Sequence, residues 1–156
     1  MKILVTGVAG FIGFNFSKFL LEKTNFDIIG VDNLNDYYSV NVKKSRLKVL
    51  KESKKFNFIK LDIKNKYKLE KVFKKKIDAV FHFAAQAGVR YSIKNPRAYI
   101  ESNTLGFFNI IEFSIKNKIK KFFYASSSSV YGDSKKFHLS EKDPINPKNI
   151  YGLTKK

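Results

Sequence analysis

Tyr151 and Lys155 stand four residues apart near the carboxyl end of the chain, a spacing that puts both side chains on one face of a helix. A phenol with an ordinary pKa of about 10 is a poor base near neutrality. A neighbouring ammonium favours the phenolate, and each unit of lowering is worth about 1.4 kcal/mol. Such a pair can take a proton from a substrate hydroxyl. A serine cluster, Ser126–Ser129, precedes it in the chain. Neither signal is specific alone, because lysine is abundant here and serine clusters also make ordinary polar loops.

The signal sharpens at the amino end. A short apolar run, Ile3 to Val5, reads as a buried strand. It leads through Thr6 into Gly7, Gly10 and Gly13, and then into an amphipathic stretch through Leu21. Strand, glycine turn and helix in that order are the context in which glycines at this spacing mean dinucleotide binding. Gly7 permits the tight turn, Gly10 lets backbone approach a diphosphate, and Gly13 lets the helix pack on the strand. The helix start at Phe11 and Ile12 supplies free N–H groups and a positive dipole end.

Asp32 follows a second apolar run, nineteen residues after Gly13. An acid there accepts both ribose hydroxyls of an adenosine and repels a 2′-phosphate. Asn33 and Leu34 come next with no arginine in the local loop, which favours NAD over NADP. Asp62, before Ile63, is a candidate for the adenine amino group. Ala84, Ala85 and Gln86 close a further strand, and the small residues there let backbone lie close to a cofactor. A helix-cap or turn role for Asp32 and simple close packing for the small residues are the plainer alternatives.

Composition narrows the class. The chain has 156 residues, room for one domain with a real core. It has no cysteine, which excludes disulfides and thiolate chemistry and fits a cytoplasmic location. His82 and His138 are the two histidines, too separated for a metal centre, and His82 reads as a core residue. The +18 net charge would prompt a nucleic-acid reading, yet only Arg46, Arg90 and Arg97 among the 31 basic residues are arginine. Arginine is the residue suited to base readout. The lysines, Lys43 among them, are spread as on solvated surfaces, and the Lys, Asn, Ile and Phe excess reads as A/T-rich coding. No specific nucleic-acid partner is expected. The amino-terminal apolar run is broken by glycines and Asn15, unlike a secretory signal, and no segment has the uninterrupted apolar length of a membrane span.

Strands and helices alternate along the chain. Strands are expected over Ile3–Thr6, Asp27–Val31, Phe56–Leu61, Ala79–Phe83 and Lys121–Ala125. Helices are expected over Phe11–Lys23, Val40–Ser53, Tyr67–Lys75 and, as one long element, Arg97–Asn117. Apolar positions are Val42, Leu47, Val49 and Leu50 in the second helix, and Ile100, Leu105, Phe108, Ile111 and Phe113 in the last. The alternation implies an α/β, Rossmann-type doubly wound parallel sheet with ligands along one edge.

Together these residues resemble the extended short-chain dehydrogenase/reductase family, the NAD-dependent nucleotide-sugar epimerases and dehydratases. Thr6 to Gly13 matches its glycine turn, Tyr151 and Lys155 its catalytic pair, and Ser127 the assisting hydroxyl. The resemblance implies that Tyr151 takes the proton from the sugar 4-hydroxyl while C4 gives hydride to NAD. Lys155 lowers the tyrosine pKa and holds the nicotinamide ribose, and Ser127 binds the 4-oxygen. Dehydratases carry an Asp-Glu pair, and uronate decarboxylases a glutamate, where this chain has Ser128 and Ser129, which cannot do that acid–base work. Asp32 to Tyr38, Gly88 to Ser92 and Ser126 to Gly132 are similar to the bacterial UDP-glucuronate 4-epimerase branch. There Arg90 and Ser127, Ser128 and Ser129 are candidates to meet a UDP-sugar carboxylate; a surface loop is the plainer place for Arg90.

Members of that family continue for about as many residues again, through further strands, a substrate domain and the helix bundle of a homodimer. Residues 1–156 are therefore expected to be an incomplete NAD-binding domain with little turnover alone. Another epimerase or dehydratase of the family, or a non-catalytic NAD-binding module, are the alternatives.

Overall fold

The computed structural model describes residues 1–156. Five parallel strands form one sheet in the order β3-β2-β1-β4-β5, with β1 Lys2–Thr6, β2 Asp27–Asp32, β3 Phe56–Lys60, β4 Ala79–His82 and β5 Lys121–Tyr124. Register is continuous across the centre: Ile3 lies opposite Ile28 on one side and Ala79 on the other. The chain winds outward from β1 to β3 and then crosses back to β4. This leaves a reversal of strand order between β1 and β4, where open α/β sheets form their ligand crevice.

Period-two alternation assigns the strand residues to two faces. Leu4, Ile29, Val31 and Val80 join Leu69, Val72 and Phe73 of helix α3 (Lys66–Phe73). Ile3, Val5, Ile28 and Ala79 pack on the other face with Leu20 of helix α1 (Phe11–Lys23) and with Leu47 and Leu50 of helix α2 (Val40–Lys51). Both faces are covered, and so the strands read as nearly unbroken apolar runs.

Two helical expectations need correction. The Arg97–Asn117 element is a composite. Helix α4 (Val89–Lys94), which the sequence reading did not include, precedes α5 (Pro96–Tyr99), a π-helical stretch Ile100–Gly106, and α6 (Phe107–Lys116). Its inward residues are Tyr99, Asn103, Gly106, Asn109, Ile110, Phe113 and Ser114, whereas Ile100, Leu105 and Phe108 are exposed. Polar and small residues face inward because they bond to or pack against neighbouring loops: Asn109 donates to the Ile63 carbonyl at 3.0 Å. A Cβ on Gly106 would meet Ile63 Cδ1 at 2.6 Å. In α2, Val42 and Val49 are exposed while Lys43 is buried at 4% exposure, so Lys43 does not belong with the solvated lysines.

His82 is the core residue expected of it. Its Nδ1 is 2.7 Å from Thr6 Oγ1, and its ring packs on Phe107. Burial, with a smaller push from the Lys155 charge, lowers its pKa from 6.5 to about 3. The fold holds the neutral ring, so on acidification the unfolded chain takes up the proton first. The His82 contribution to stability should be flat above about pH 6.5 and fall as pH drops toward 3, with a slope of up to about 1.4 kcal/mol per unit. Urea midpoints across pH 4 to 7 should show this slope, and His82→Gln should flatten it; an unchanged slope in the variant would refute the assignment.

Candidate active site

The glycine turn occupies the carboxyl end of β1. Gly7 has φ +69°, and a Cβ there would sit 2.6 Å from Ala84 N in the strand-end loop after β4. A Cβ on Gly13 would fall 2.3 Å from the Gly7 carbonyl oxygen. These contacts are with backbone and cannot be relieved by a rotamer, so both positions require glycine. The Gly7 and Val8 amides both donate to the Val31 carbonyl, at 2.8 and 3.2 Å, which ties the turn to β2.

Asp32 is buried at 8% exposure and secures the same turn. Its Oδ2 accepts from Ala9 N at 3.1 Å and its Oδ1 from Leu34 N at 2.8 Å. Each carboxylate oxygen retains a further lone pair for an outside donor. Asn33 donates to Asp62 Oδ2 at 3.2 Å, and Asp62 Oδ1 accepts from Lys64 N at 2.9 Å. The turn-capping reading of Asp32 is thus satisfied alongside its placement on the cleft, and Asp62 caps the turn at Lys64.

A cleft of about 440 Å3 opens at the reversal of strand order. It brings together every cofactor-site residue expected from the first 86 positions: Gly7, Gly10, Phe11, Ile12, Gly13, Asp32, Asn33, Asp62, Ile63, Ala84, Ala85 and Gln86. The side chains of Phe11 and Ile12 are 71% and 57% exposed at the start of α1. Gln86 is 6% exposed, and its side-chain Nε2, unlike its backbone N–H, makes no well-formed hydrogen bond. The cleft also takes in Tyr37 and Tyr38, from the stretch Asp32 to Tyr38 that carries part of the resemblance, and Lys43 and Arg46, which no motif included. Arg46 was absent from the local loop in sequence but reaches the cleft from α2. The stripe Lys43, Arg46, Leu47, Leu50 has helical spacing and was the available signal.

Arg90, Ser127, Ser128, Ser129, Tyr151 and Lys155 lie outside that cleft lining. Arg90 is exposed on α4. Ser127 caps the 3-10 turn Ser128–Tyr131, its Oγ accepting from Ser129 N at 3.2 Å. Tyr151 sits in the short helix α7 (Ile150–Leu153), its ring centroid 6.0 Å from that of the fully buried Tyr99. Burial pushes the Tyr99 phenol up to about 12, and its one O–H is shared between the Ala87 and Gly88 carbonyls, which lie 2.7 and 2.6 Å from the hydroxyl oxygen. Lys155 lies just past α7, with its N–H bonded to Gly152 O at 3.1 Å, so the chain tightens there instead of continuing α-helical spacing. Its ammonium donates to Ala125 O at 2.9 Å, and burial lowers its pKa to about 8.

Asn103 joins the two halves of the site. Its side chain accepts from Gln86 N at 2.7 Å and donates to Gln86 O at 2.9 Å and to Thr154 Oγ1 at 3.0 Å. One buried amide therefore fastens the loop after β4 to the segment carrying Tyr151 and Lys155.

A glycine turn at a helix start, an acid ending β2 and a crevice at the reversal of strand order define a nucleotide-binding α/β domain. A family model described as GDP-mannose 4,6 dehydratase matches residues 4–156, and the chain belongs to this NAD-dependent epimerase/dehydratase family. It is 50% identical to Protein CapI of Staphylococcus aureus, covering 100% of this chain and 47% of that protein. It is 46% identical to the UDP-glucuronate 4-epimerase of Thermodesulfobacterium geofontis, over 98% of this chain and 47% of that one. Among solved structures, the UDP-glucuronic acid 4-epimerase from Bacillus cereus in complex with UDP-glucuronic acid and NAD superposes with a TM-score of 0.92 at 36% identity. That match covers 99% of this chain and 49% of that one. The chain spans about half the length of the relatives it matches. No helix is long and apolar enough to cross a membrane.

Asn103→Leu keeps comparable volume but strands both polar backbone groups of Gln86. It should lower unfolding free energy by about 2–4 kcal/mol in urea titrations. An unchanged midpoint would mean that the clamp carries no stability.

Proposed function

We propose that the chain is the coenzyme-binding and catalytic-motif part of an NAD-dependent UDP-glucuronate 4-epimerase. The observation that carries the reading is the single cleft that gathers the glycine turn, Asp32, Asp62 and the Ala84–Gln86 loop. The residues fit a dinucleotide. Gly7 and Gly13 hold backbone closer than any side chain allows, and the first-turn amides of α1 have no intrahelical acceptors. The buried Gln86 side chain belongs to the lining of the same cleft. In this reading Gly10, Phe11, Ile12 and Gly13 hold the diphosphate, Asp32 and Asn33 the adenosine ribose, and Asp62 and Ile63 the adenine.

When bound, the coenzyme supplies a hydride acceptor for oxidation at the sugar C4 and the hydride for its return to the other face. The protein's own part is proton handling and orientation. Tyr151 takes the 4-hydroxyl proton and later returns it. Ser127 accepts from Ser129 N, which leaves its O–H to donate to the 4-oxygen. Lys155 places a cation beside the same region while its ammonium is anchored on Ala125. Ser128 and Ser129 supply no acid–base group for elimination or decarboxylation, which supports epimerisation. With Arg90 they are the candidates for the substrate carboxylate. The relatives' second halves carry the rest of the UDP-sugar site and the homodimer contacts in this reading, and residues 1–156 alone turn over little substrate. A cytoplasmic location accords with the absence of cysteine.

Calorimetric titration with NAD tests the reading. The chain should bind NAD saturably, and Gly10→Val and Asp32→Ala should each raise Kd by roughly tenfold or more, the scale of one lost charge-assisted contact. Absence of binding, or affinity indifferent to both substitutions, would refute the assignment. Normal UDP-glucuronate turnover by residues 1–156 would refute the expected need for a second half.

A further inference from the structure

Helix α2 directs a mixed stripe at the glycine turn. Its lower residues, Leu47 and Leu50, are core, while Lys43 and Arg46 reach the cleft one turn above. Lys43 is committed to the neighbouring loop, its ammonium donating to Asn35 O and Oδ1 at 2.8 and 2.6 Å. Arg46 reaches the turn itself. Its Nη1 donates to the Ala9 carbonyl at 3.2 Å and to the Tyr38 hydroxyl at 3.1 Å. Tyr38 in turn donates to the same carbonyl at 3.4 Å. The guanidinium lies 5.9, 6.0 and 5.9 Å from the ring centroids of Phe11, Phe14 and Tyr38, at the outer reach of cation–π attraction.

The peptide groups around Ala9 are therefore all engaged. Ala9 N–H goes to Asp32, Ala9 C=O to Arg46 and Tyr38, and Gly10 N–H to the Gly7 carbonyl at 3.0 Å. The next amides, at the start of α1, have no intrahelical acceptor. Were the Ala9 carbonyl released, only the Gly10 N–H bond to Gly7 would still hold this peptide, which could then tilt and present an acceptor where an anion is to bind.

We propose that Arg46 is a positioning residue for the coenzyme diphosphate: by holding the Ala9 carbonyl it fixes the glycine turn so that the first-turn amides of α1 stay aimed into the cleft. This rests on the coenzyme reading above and adds a residue from a helix outside the glycine motif. Because Arg46 acts on the phosphate-binding turn, its loss is felt by ligands that carry a diphosphate and not by the nucleoside alone.

The test is a ligand-deletion series with NAD, ADP and adenosine, titrated calorimetrically against the 156-residue chain, Arg46→Met and Tyr38→Phe. Arg46→Met keeps the apolar stem but removes the donors and charge. It should raise Kd for NAD and ADP roughly tenfold and leave adenosine within about twofold. Because the effect is one of backbone position, it should persist in about 1 M salt, where the Debye length is about 3 Å. Tyr38→Phe, which removes one hydroxyl, should shift the same two ligands in the same direction by less, and it remains informative if Arg46→Met fails to fold. Equal losses for all three ligands would mean that Arg46 only supports α2, and unchanged affinities would remove its role; either overturns the inference. A loss that vanishes in high salt assigns charge alone and also overturns it. Wild-type protein that binds neither NAD nor ADP defeats the coenzyme reading itself, and the inference with it.

Discussion

The structure depends on one crossing of backbone at the top of the sheet. Gly7 leaves β1 with a positive φ and passes so close to the Ala84 backbone and to Gly13 that no Cβ can be accommodated at either glycine. That approach brings the start of α1 directly over the end of β1. It also places the loop after β4 alongside, which forms the cleft. The turn is then fixed from β2 by the Val31 carbonyl and the Asp32 carboxylate, and from α2 by Arg46. A turn built on glycines thus gains its order from neighbours that engage its peptide groups.

The second half of the site is organised by Asn103. The residues proposed for chemistry sit on short or irregular segments: a 3-10 turn at Ser128–Tyr131, the four-residue α7, and the tightened turn at Lys155. Such pieces have little helical stability of their own. They are held by contacts with the π-helical stretch and the loop after β5, namely Asn103 to Thr154, Ser126 to Lys155 O and Lys155 to Ala125. The ammonium of Lys155 thus has a structural bond as well as a place beside the proposed chemistry, and its burial keeps it more easily deprotonated than a surface lysine.

Much of the fold was legible from periodicity. The five strands and the first three helices lie within a residue or two of where apolar spacing puts them, because a sheet covered on both faces leaves an unmistakable pattern. The stretch from Val89 to Lys116 was not legible. Its inward face includes Asn103 and Asn109, bonded to loops, and Gly106, placed for close approach, so hydrophobicity found the buried Phe113 but also pointed to the exposed Ile100, Leu105 and Phe108. The glycine turn, Asp32, Asp62 and Ala84–Gln86 were readable because local spacing defines them. Lys43 and Arg46 were not, since their partners are distant in sequence: Arg46 meets Ala9 across 37 residues. In a chain of +18 net charge, one buried lysine cannot be told by composition from its many solvated neighbours.

Amide chemical shifts during titration of the isotopically labelled chain with NAD test the central claim most directly. If the turn beginning at Gly7 receives the diphosphate, the largest changes fall on Gly10, Phe11 and Ile12, with smaller ones at Asp32 and Ala84–Gln86. Changes confined to the lysine-rich outer faces, with the α1 amides unmoved, would contradict it.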